Sequence, residues 1–369
     1  MGIPKFLDLT DEQAQAVMLP LDGRWLVTGP PGSGKTIMAL YRVWTLSTAG
    51  REPVLLTHGR LLNQYCALGA QELGIEARVT TFHRWFHSFW RRIFGARPPT
   101  DGIDDWSYDW VTILTALNSR PELALEFQDL VVDEGQDLPP MFYLLCRVIA
   151  ANVMVFADEN QRLTERQSTL AEILSGLGSA TGRHEVAVNH RNTREIALFA
   201  RHFHCGSPDA LPPLPGNHGQ RPQLTSIPSL VECVAQLSAY SAVNPDEEIG
   251  LVLKRSDLQR WVQRRLYERN LPNVQIYVSG DEGRSKVDFD RPGIRIVNAA
   301  SMKGLEFDSL FVPDLEDYEA DPTSASIRML FYVMATRARR SLHLFYRGDR
   351  VPPILADVPG YLLDQVRMP

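Results

Sequence analysis

Residues 24–47, RWLVTGPPGSGKTIMALYRVWTLS, decide the fold. A short apolar run, RWLVTG, breaks into a Gly/Pro-rich loop and continues as a helical stretch, so the order is strand, loop, helix. Within it GPPGSGKT (Gly29, Pro30, Pro31, Gly32, Ser33, Gly34, Lys35, Thr36) matches the G-x-x-x-x-G-K-[ST] phosphate-binding loop. Glycines let successive backbone N–H groups wrap a polyphosphate, and the helix N-terminus adds partial positive charge. Lys35 would meet the β- and γ-phosphates and Thr36 would ligate Mg²⁺. A Gly-rich turn by chance is the competing reading, and the strand–loop–helix context decides against it.

Working outward, further apolar runs end in polar or acidic residues: PVLLT (53–57), DLVVDE (129–134) and NVMVFAD (152–158). Buried parallel strands read as near-continuous hydrophobic runs, with function at their C-terminal ends. The second half repeats the style in EIGLVLK (248–254), VQIYVSG (274–280), GIRIVNAA (293–300), DSLFVPD (308–314) and SLHLFYRG (341–348), with helical patterns between. Two α/β domains with parallel sheets follow, 1–182 and 183–369, the first holding a small helical insert at about 86–127. GSATGRHE (178–185) reads as the linker. CGSPDALPPLPGNHGQRP (205–222), with five Pro and three Gly, reads as irregular.

The chain has 369 residues, 38 Lys+Arg against 44 Asp+Glu and a net charge of −6, which predicts two domains. Nucleic-acid binders are usually basic, so the balance argues against that class. All the excess acid lies before residue 183: 15 basic and 21 acidic residues there, 23 and 23 after. No apolar run reaches membrane-span length. The four cysteines are far apart in sequence, and the start lacks a secretory pattern, so a cytoplasmic protein without membrane contact is expected.

Asp133 and Glu134 end a hydrophobic strand. Such a pair is commonly a solvated strand end, but behind a phosphate loop Asp133 reads as a Mg²⁺ ligand and Glu134 as the group that polarises water. Arg191 and Arg337 are candidates for stabilising γ-phosphate charge. Either alone, among 33 arginines, is commonly a surface residue.

These segments and their order, LTDEQAQAV (9–17), GPPGSGKT, VTTFHRW (79–85), VVDEGQD (131–137), VFADENQRL (155–163), VNHRNTREI (188–196), GLVLKRSD (250–257), VNAASMKGLEFDSLFV (297–312) and FYVMATRAR (331–339), resemble the UvrD/Rep-like branch of helicase superfamily 1. The resemblance covers nearly the whole chain. It implies two tandem RecA-like, doubly wound parallel-sheet domains of the P-loop NTPase class with ATP·Mg²⁺ between them. By position, Gln13 resembles the adenine-recognising glutamine, Asp133 the Mg²⁺ ligand and Glu134 the catalytic base. Gln161 resembles the γ-phosphate-sensing glutamine, Arg191 and Arg337 the two γ-phosphate arginines, and Glu306 the ribose contact. His190 stands where a tyrosine usually stacks on adenine.

The departures lie at strand-facing positions. After VFADENQ the family has an aromatic-containing segment, and this chain reads RLTERQSTLAEI; Asn298 and Ala300 stand where Thr and His are common; LLTHGRLLN (55–63) follows its counterpart loosely. Only 96 residues lie between Thr36 and Asp133 and 111 between Arg191 and Lys303, so the large accessory subdomains are missing. The implied activity is ATP-dependent translocation on single-stranded DNA, 3′-to-5′, with RNA left open, weak unwinding, and a protein partner for duplex engagement or targeting. The rival is a nucleotide-switched regulatory ATPase.

Three weaker candidates complete the reading. FHRWFHSFWRRIF (82–94) has six aromatics at helical spacing, read as a core stripe, although Thr81, Phe82 and His83 match a DNA-contact motif of the family. The helix at 256–270 carries Arg260, Arg264, Arg265 and Arg269, read as a solvated face rather than a phosphate track. His202, His204, Cys205 and His218 fit no common zinc spacing.

Overall fold

In the computed structural model the described residues are 3–367 except 76, 124, 159–160, 162–166, 190, 206–210, 279–286, 290, 300 and 319–320. They form two compact units, one of residues 3–29 and 34–186, the other of 187–367 with the loop residues 30–33.

In the first unit the order is α1 (Asp11–Val17), β1 (Arg24–Thr28), α2 (Lys35–Thr48), β2 (Val54–Thr57), α3 (Arg60–Glu72), β3 (Arg78–Thr81) and α4 (Phe82–Phe94). It continues through α5 (Trp110–Asn118), β4 (Phe127–Val132), α6 (Pro140–Ile149), β5 (Ala150–Ala157), α7 (Leu170–Leu177) and β6 (Gly182–Glu185). The sheet is parallel throughout, in the order β3-β2-β4-β5-β1-β6. One strand, β5, separates β1 from β4, and register puts Leu26, Val155 and Val132 at one level. The C-terminal ends of β1, β5 and β4 therefore open together, the place where parallel α/β sheets bind ligands.

The aromatic stripe of α4 goes into the core. Phe82, Trp85, Phe86, Phe89 and Trp90 are buried. Trp85 stacks on Phe89 at 5.5 Å and Phe82 meets Phe142 edge-on at 4.9 Å. Gly95, left-handed at φ 68°, ends this helix, its N–H bonded to Arg91 O, with Arg91 and Arg92 in the last turn against the helix dipole.

The reading of 178–185 as a linker is corrected: Gly182–Glu185 is β6, paired in register with Trp25–Thr28. GRHE carries no apolar signal because β6 is a partly exposed edge strand. Gly182 is required there, since a Cβ would stand 2.4 Å from the Trp25 ring.

The second unit runs α8 (Arg194–Arg201), β7 (Gln223–Ile227), α9 (Leu230–Val243), β8 (Glu248–Val252), α10 (Ser256–Glu268), β9 (Val274–Ile276) and β10 (Gly293–Val297). Then come β11 (Phe307–Val312), α11 (Ala325–Ala335), β12 (Ala338–Arg347), α12 (Pro353–Ala356) and β13 (Asp364–Arg367). Its seven parallel strands are ordered β13-β7-β12-β11-β8-β10-β9. Ile249, Leu251, Ile294, Ile296 and Phe311 from the strands pack with Leu237, Val262 and Leu266 from α9 and α10. Both units are parallel-sheet α/β domains, as the RecA-like expectation requires. Residues 211–222 hold no helix or strand. Among the described residues no helix is long and apolar enough to cross a membrane.

Candidate active site

The loop after β1 turns into α2 through glycines that only glycine serves well: Gly32 and Gly34 have φ of +83° and +84°. A Cβ on Gly34 would also stand 2.6 Å from Gln13 Nε2. Gln13 is fixed from its own helix start. Its Oε1 accepts from Thr10 N at 3.0 Å while Thr10 Oγ1 accepts from Gln13 N at 3.4 Å. This reciprocal cap aims the side-chain amide at the loop.

Lys35 opens α2 and is buried. Its ammonium donates to Gly29 O at 2.7 Å and lies 3.5 Å from Asp158 Oδ2. Thr36 Oγ1 donates to Asp133 Oδ2 at 2.7 Å, which joins the start of α2 to the end of β4. Asp133 is fully buried. Burial and the neighbouring Glu134 carboxylate push its pKa up, against the Thr36 hydrogen bond and Lys35. A hydroxyl and a buried carboxylate with a second acid beside it form an all-oxygen set that suits Mg²⁺, which takes one or two carboxylates and completes its shell with phosphates. Among the described residues no cluster of three or more His, Cys, Asp or Glu is arranged for a protein-only metal site.

Glu134 adopts a left-handed conformation, φ 53° and ψ 48°, unusual for a non-glycine residue and typical of functional turns. Gln136, fully buried, explains its aim. Gln136 Nε2 donates to Glu134 Oε2 at 2.6 Å, and Gln136 Oε1 accepts from Asp158 N at 2.9 Å. Gln161 Nε2 donates to Asp158 Oδ2 at 2.8 Å. Asp158 at the end of β5 is thus tied to Lys35, Gln136 and Gln161. Sequence reasoning gave neither Gln136 nor Asp158 a role of its own. The available signal was a Gln two residues beyond the acid pair and an acid ending the next strand.

In the second unit, three sequence segments converge. Asn189 Oδ1 accepts from Arg191 N at 2.9 Å, and Arg191 Nη1 and Asn192 Nδ2 both donate to Thr336 O, at 3.2 and 3.1 Å. Arg191 pairs with Glu306, and Arg339 holds the other Glu306 oxygen at 2.9 Å. Burial alone would raise the Glu306 pKa, but the charges of Arg191 and Arg339 bring it down to about 2. Arg337 is 1% exposed, with Nη1 3.4 Å from Leu305 O. Arg339 escaped sequence reasoning because one arginine in an ARR run has no distinguishing spacing. His190 lies outside the described residues.

Of the DNA-contact candidates, Thr81 precedes α4 as its N-cap, and Phe82 is 1% exposed, its ring enclosed by Phe86, Tyr108 and Phe142. His83 Nδ1 meets Tyr108 Oη at 2.9 Å, and burial, with His58 and His87 nearby, lowers its pKa to about 4. Among the described residues His202, His204, Cys205 and His218 are not gathered into a group that could hold a metal ion; His218 pairs with Glu195 at 2.9 Å.

Comparison with known proteins adds three findings. The AAA domain family matches residues 13–166, the stretch containing the phosphate loop, Asp133, Glu134 and Gln161. A solved structure similar to this chain is the C-terminal domain of a possible DNA helicase from Lactobacillus plantarum WCFS1, with 23% identity, covering 48% of this chain and 99% of that chain at a TM-score of 0.36. No curated protein matches the chain.

Proposed function

We propose that the chain hydrolyses ATP and couples hydrolysis to 3′-to-5′ movement along single-stranded DNA, as a helicase-type translocase with weak unwinding of its own. The observation that carries the nucleotide part is the joined set behind the loop: Thr36 on Asp133, Lys35 beside Asp158, and Gln136 bridging Glu134 to Asp158. The AAA family match over the same residues supports it. The DNA part rests on the ordered motifs, from GPPGSGKT to KGLEF and TRA, and on their resemblance to UvrD/Rep-like helicases.

In this reading Gln13 selects the base, Glu306 meets the ribose, and the backbone of Gly29–Gly34 with Lys35 holds the phosphates. Mg²⁺ on Thr36 and Asp133 would neutralise charge on the phosphate oxygens. Glu134 accepts the proton of the attacking water, and Gln136 keeps its carboxylate in place. Gln161 responds to the γ-phosphate through Asp158, and Arg191 and Arg337 stabilise the charge that develops there. A protein partner supplies targeting or further duplex engagement.

ATP turnover measured with and without single-stranded DNA tests the proposal. Stimulation by DNA, abolished in Lys35→Ala, is the expected result. The burial of Phe82 favours one rival, a nucleotide-switched regulatory or interaction ATPase, and turnover unmoved by DNA or RNA would overturn the translocase reading.

A further inference from the structure

The second unit carries a basic surface along residues 254–270. Residues 254–270 hold six basic residues (Lys254, Arg255, Arg260, Arg264, Arg265, Arg269) against two acids (Asp257, Glu268), a local net of +4 on a chain of net −6. The structure sorts α10 sharply: Gln259, Val262 and Leu266 are buried, while Arg260, Arg264 and Arg265, with Arg269 at the helix end, are exposed. Arg260/Arg264 and Arg265/Arg269 are like charges at i,i+4, an arrangement that destabilises a helix on its own. The helix dipole accounts for cations in the last turn, but not for the two in mid-helix.

Some of this charge is answered locally. Arg265 pairs with Glu268 at 2.8 Å and Arg255 with Asp257 at 2.5 Å. Arg264 and Arg269 make no ion pair among the described residues. Of the rings on the helix, Trp261 is part-buried with Arg265 5.4 Å from its centroid, while Tyr267 is 53% exposed with its hydroxyl tied to Val274 O at 3.0 Å. A ridge of guanidinium groups beside one tethered tyrosine, rather than a row of open rings, suits a phosphate backbone better than a run of unstacked bases.

We infer that the outer face of α10 binds the phosphate backbone of duplex DNA, through Arg260, Arg264, Arg265 and Arg269 and without reading sequence. This rests on the DNA reading above and assigns this chain a duplex contact of its own. Duplex held by such contacts binds in a salt-dependent way, with a slope set by the number of phosphates neutralised.

The test uses the full chain, with Arg264→Ala/Arg269→Ala and Arg264→Lys/Arg269→Lys. Binding to a short blunt-ended duplex and to a single strand is titrated over a salt series. The alanine pair is expected to weaken duplex binding about tenfold and flatten the log–log salt slope by about 2, near one per arginine. The lysine pair should retain most of both. DNA-free ATP turnover should not move, since the side chains are exposed, and the melting midpoint of the alanine pair should not fall, since two like-charge pairs are relieved. Unchanged duplex affinity and slope, with DNA-stimulated turnover intact, would overturn the ridge assignment and leave the translocase reading standing. An equal loss on single strands would overturn the duplex assignment in favour of a strand track. A wild-type chain that binds no DNA would remove the reading on which the inference rests.

Discussion

Arg191 and Glu306, 115 positions apart in the chain, form an ion pair in the second unit, and Arg339 shares the same carboxylate. The proposed ribose contact therefore also holds a proposed γ-phosphate arginine in place. Replacing Glu306 by Ala leaves two guanidinium groups facing one another with their common acceptor gone. With Glu306 27% exposed, solvent screens part of the loss, so a destabilisation of about 1–3 kcal/mol is expected. Urea unfolding measures it, and a midpoint equal to wild type would show that the pair does not support the fold.

Gln136 offers a separable effect on chemistry. It bonds to Glu134 and to the backbone N–H of Asp158 rather than to a residue of the phosphate loop, so Gln136→Ala should let the carboxylate wander without removing it. A fall in kcat of about 10²-fold with KM for ATP nearly unchanged is expected, the usual consequence of misplacing a reacting group by about an ångström. Glu134→Gln should fall much further. Equal kcat in Gln136→Ala and wild type would remove the positioning role.

Gly182 and Trp25 make the β1–β6 pairing testable. Gly182→Ala forces a methyl group to 2.4 Å from the indole, and overpacking of this kind costs roughly 1–3 kcal/mol. Because the neighbour that objects is a single side chain, Gly182→Ala combined with Trp25→Ala should cost less than the two singles added. Additive losses would show that the glycine serves some other need.

The same strand shows why parts of the fold were hidden from sequence. Strands β1, β2, β4, β5, β8, β10 and β11 are mid-sheet or strongly apolar, and their runs declare them. The edge strands β3 (RVTT), β6 (GRHE) and β13 (DQVR) cover little apolar surface, and β7 (QLTSI) is half polar, so hydrophobicity could not announce them. Lys35, Thr36, Asp133 and Glu134 could be picked out as candidates because phosphate chemistry, where it operates, fixes residue types and spacing around a tight loop. Gln136, Asp158 and Arg339 were not, since their roles come from partners supplied by other strands. Phe82 carried two readings, a motif match and a helical period; its ring lies in the core, as the period predicts, and Phe82→Ala should cost about 3–5 kcal/mol.

Acid sensitivity follows from two histidines, one in each unit. His83 is lowered to about 4 by burial, with His58 and His87 adding to the effect. His343, stacked on Phe311 at 4.4 Å, is likewise lowered by burial to about 4. An unfolded histidine titrates near 6.5, so between these values the unfolded chain binds more protons than the folded one. The stability each ring contributes by staying neutral is complete above pH of about 6.5 and is lost progressively as pH falls towards 4. Thermal midpoints across that window should decline in wild type. His83→Gln should flatten the decline of the first unit and His343→Phe, which keeps a ring against Phe311, that of the second. Carboxylates titrate in both proteins alike, so the difference between variant and wild type isolates the histidines. Parallel pH profiles for variant and wild type would show that the two rings are not held neutral by the fold.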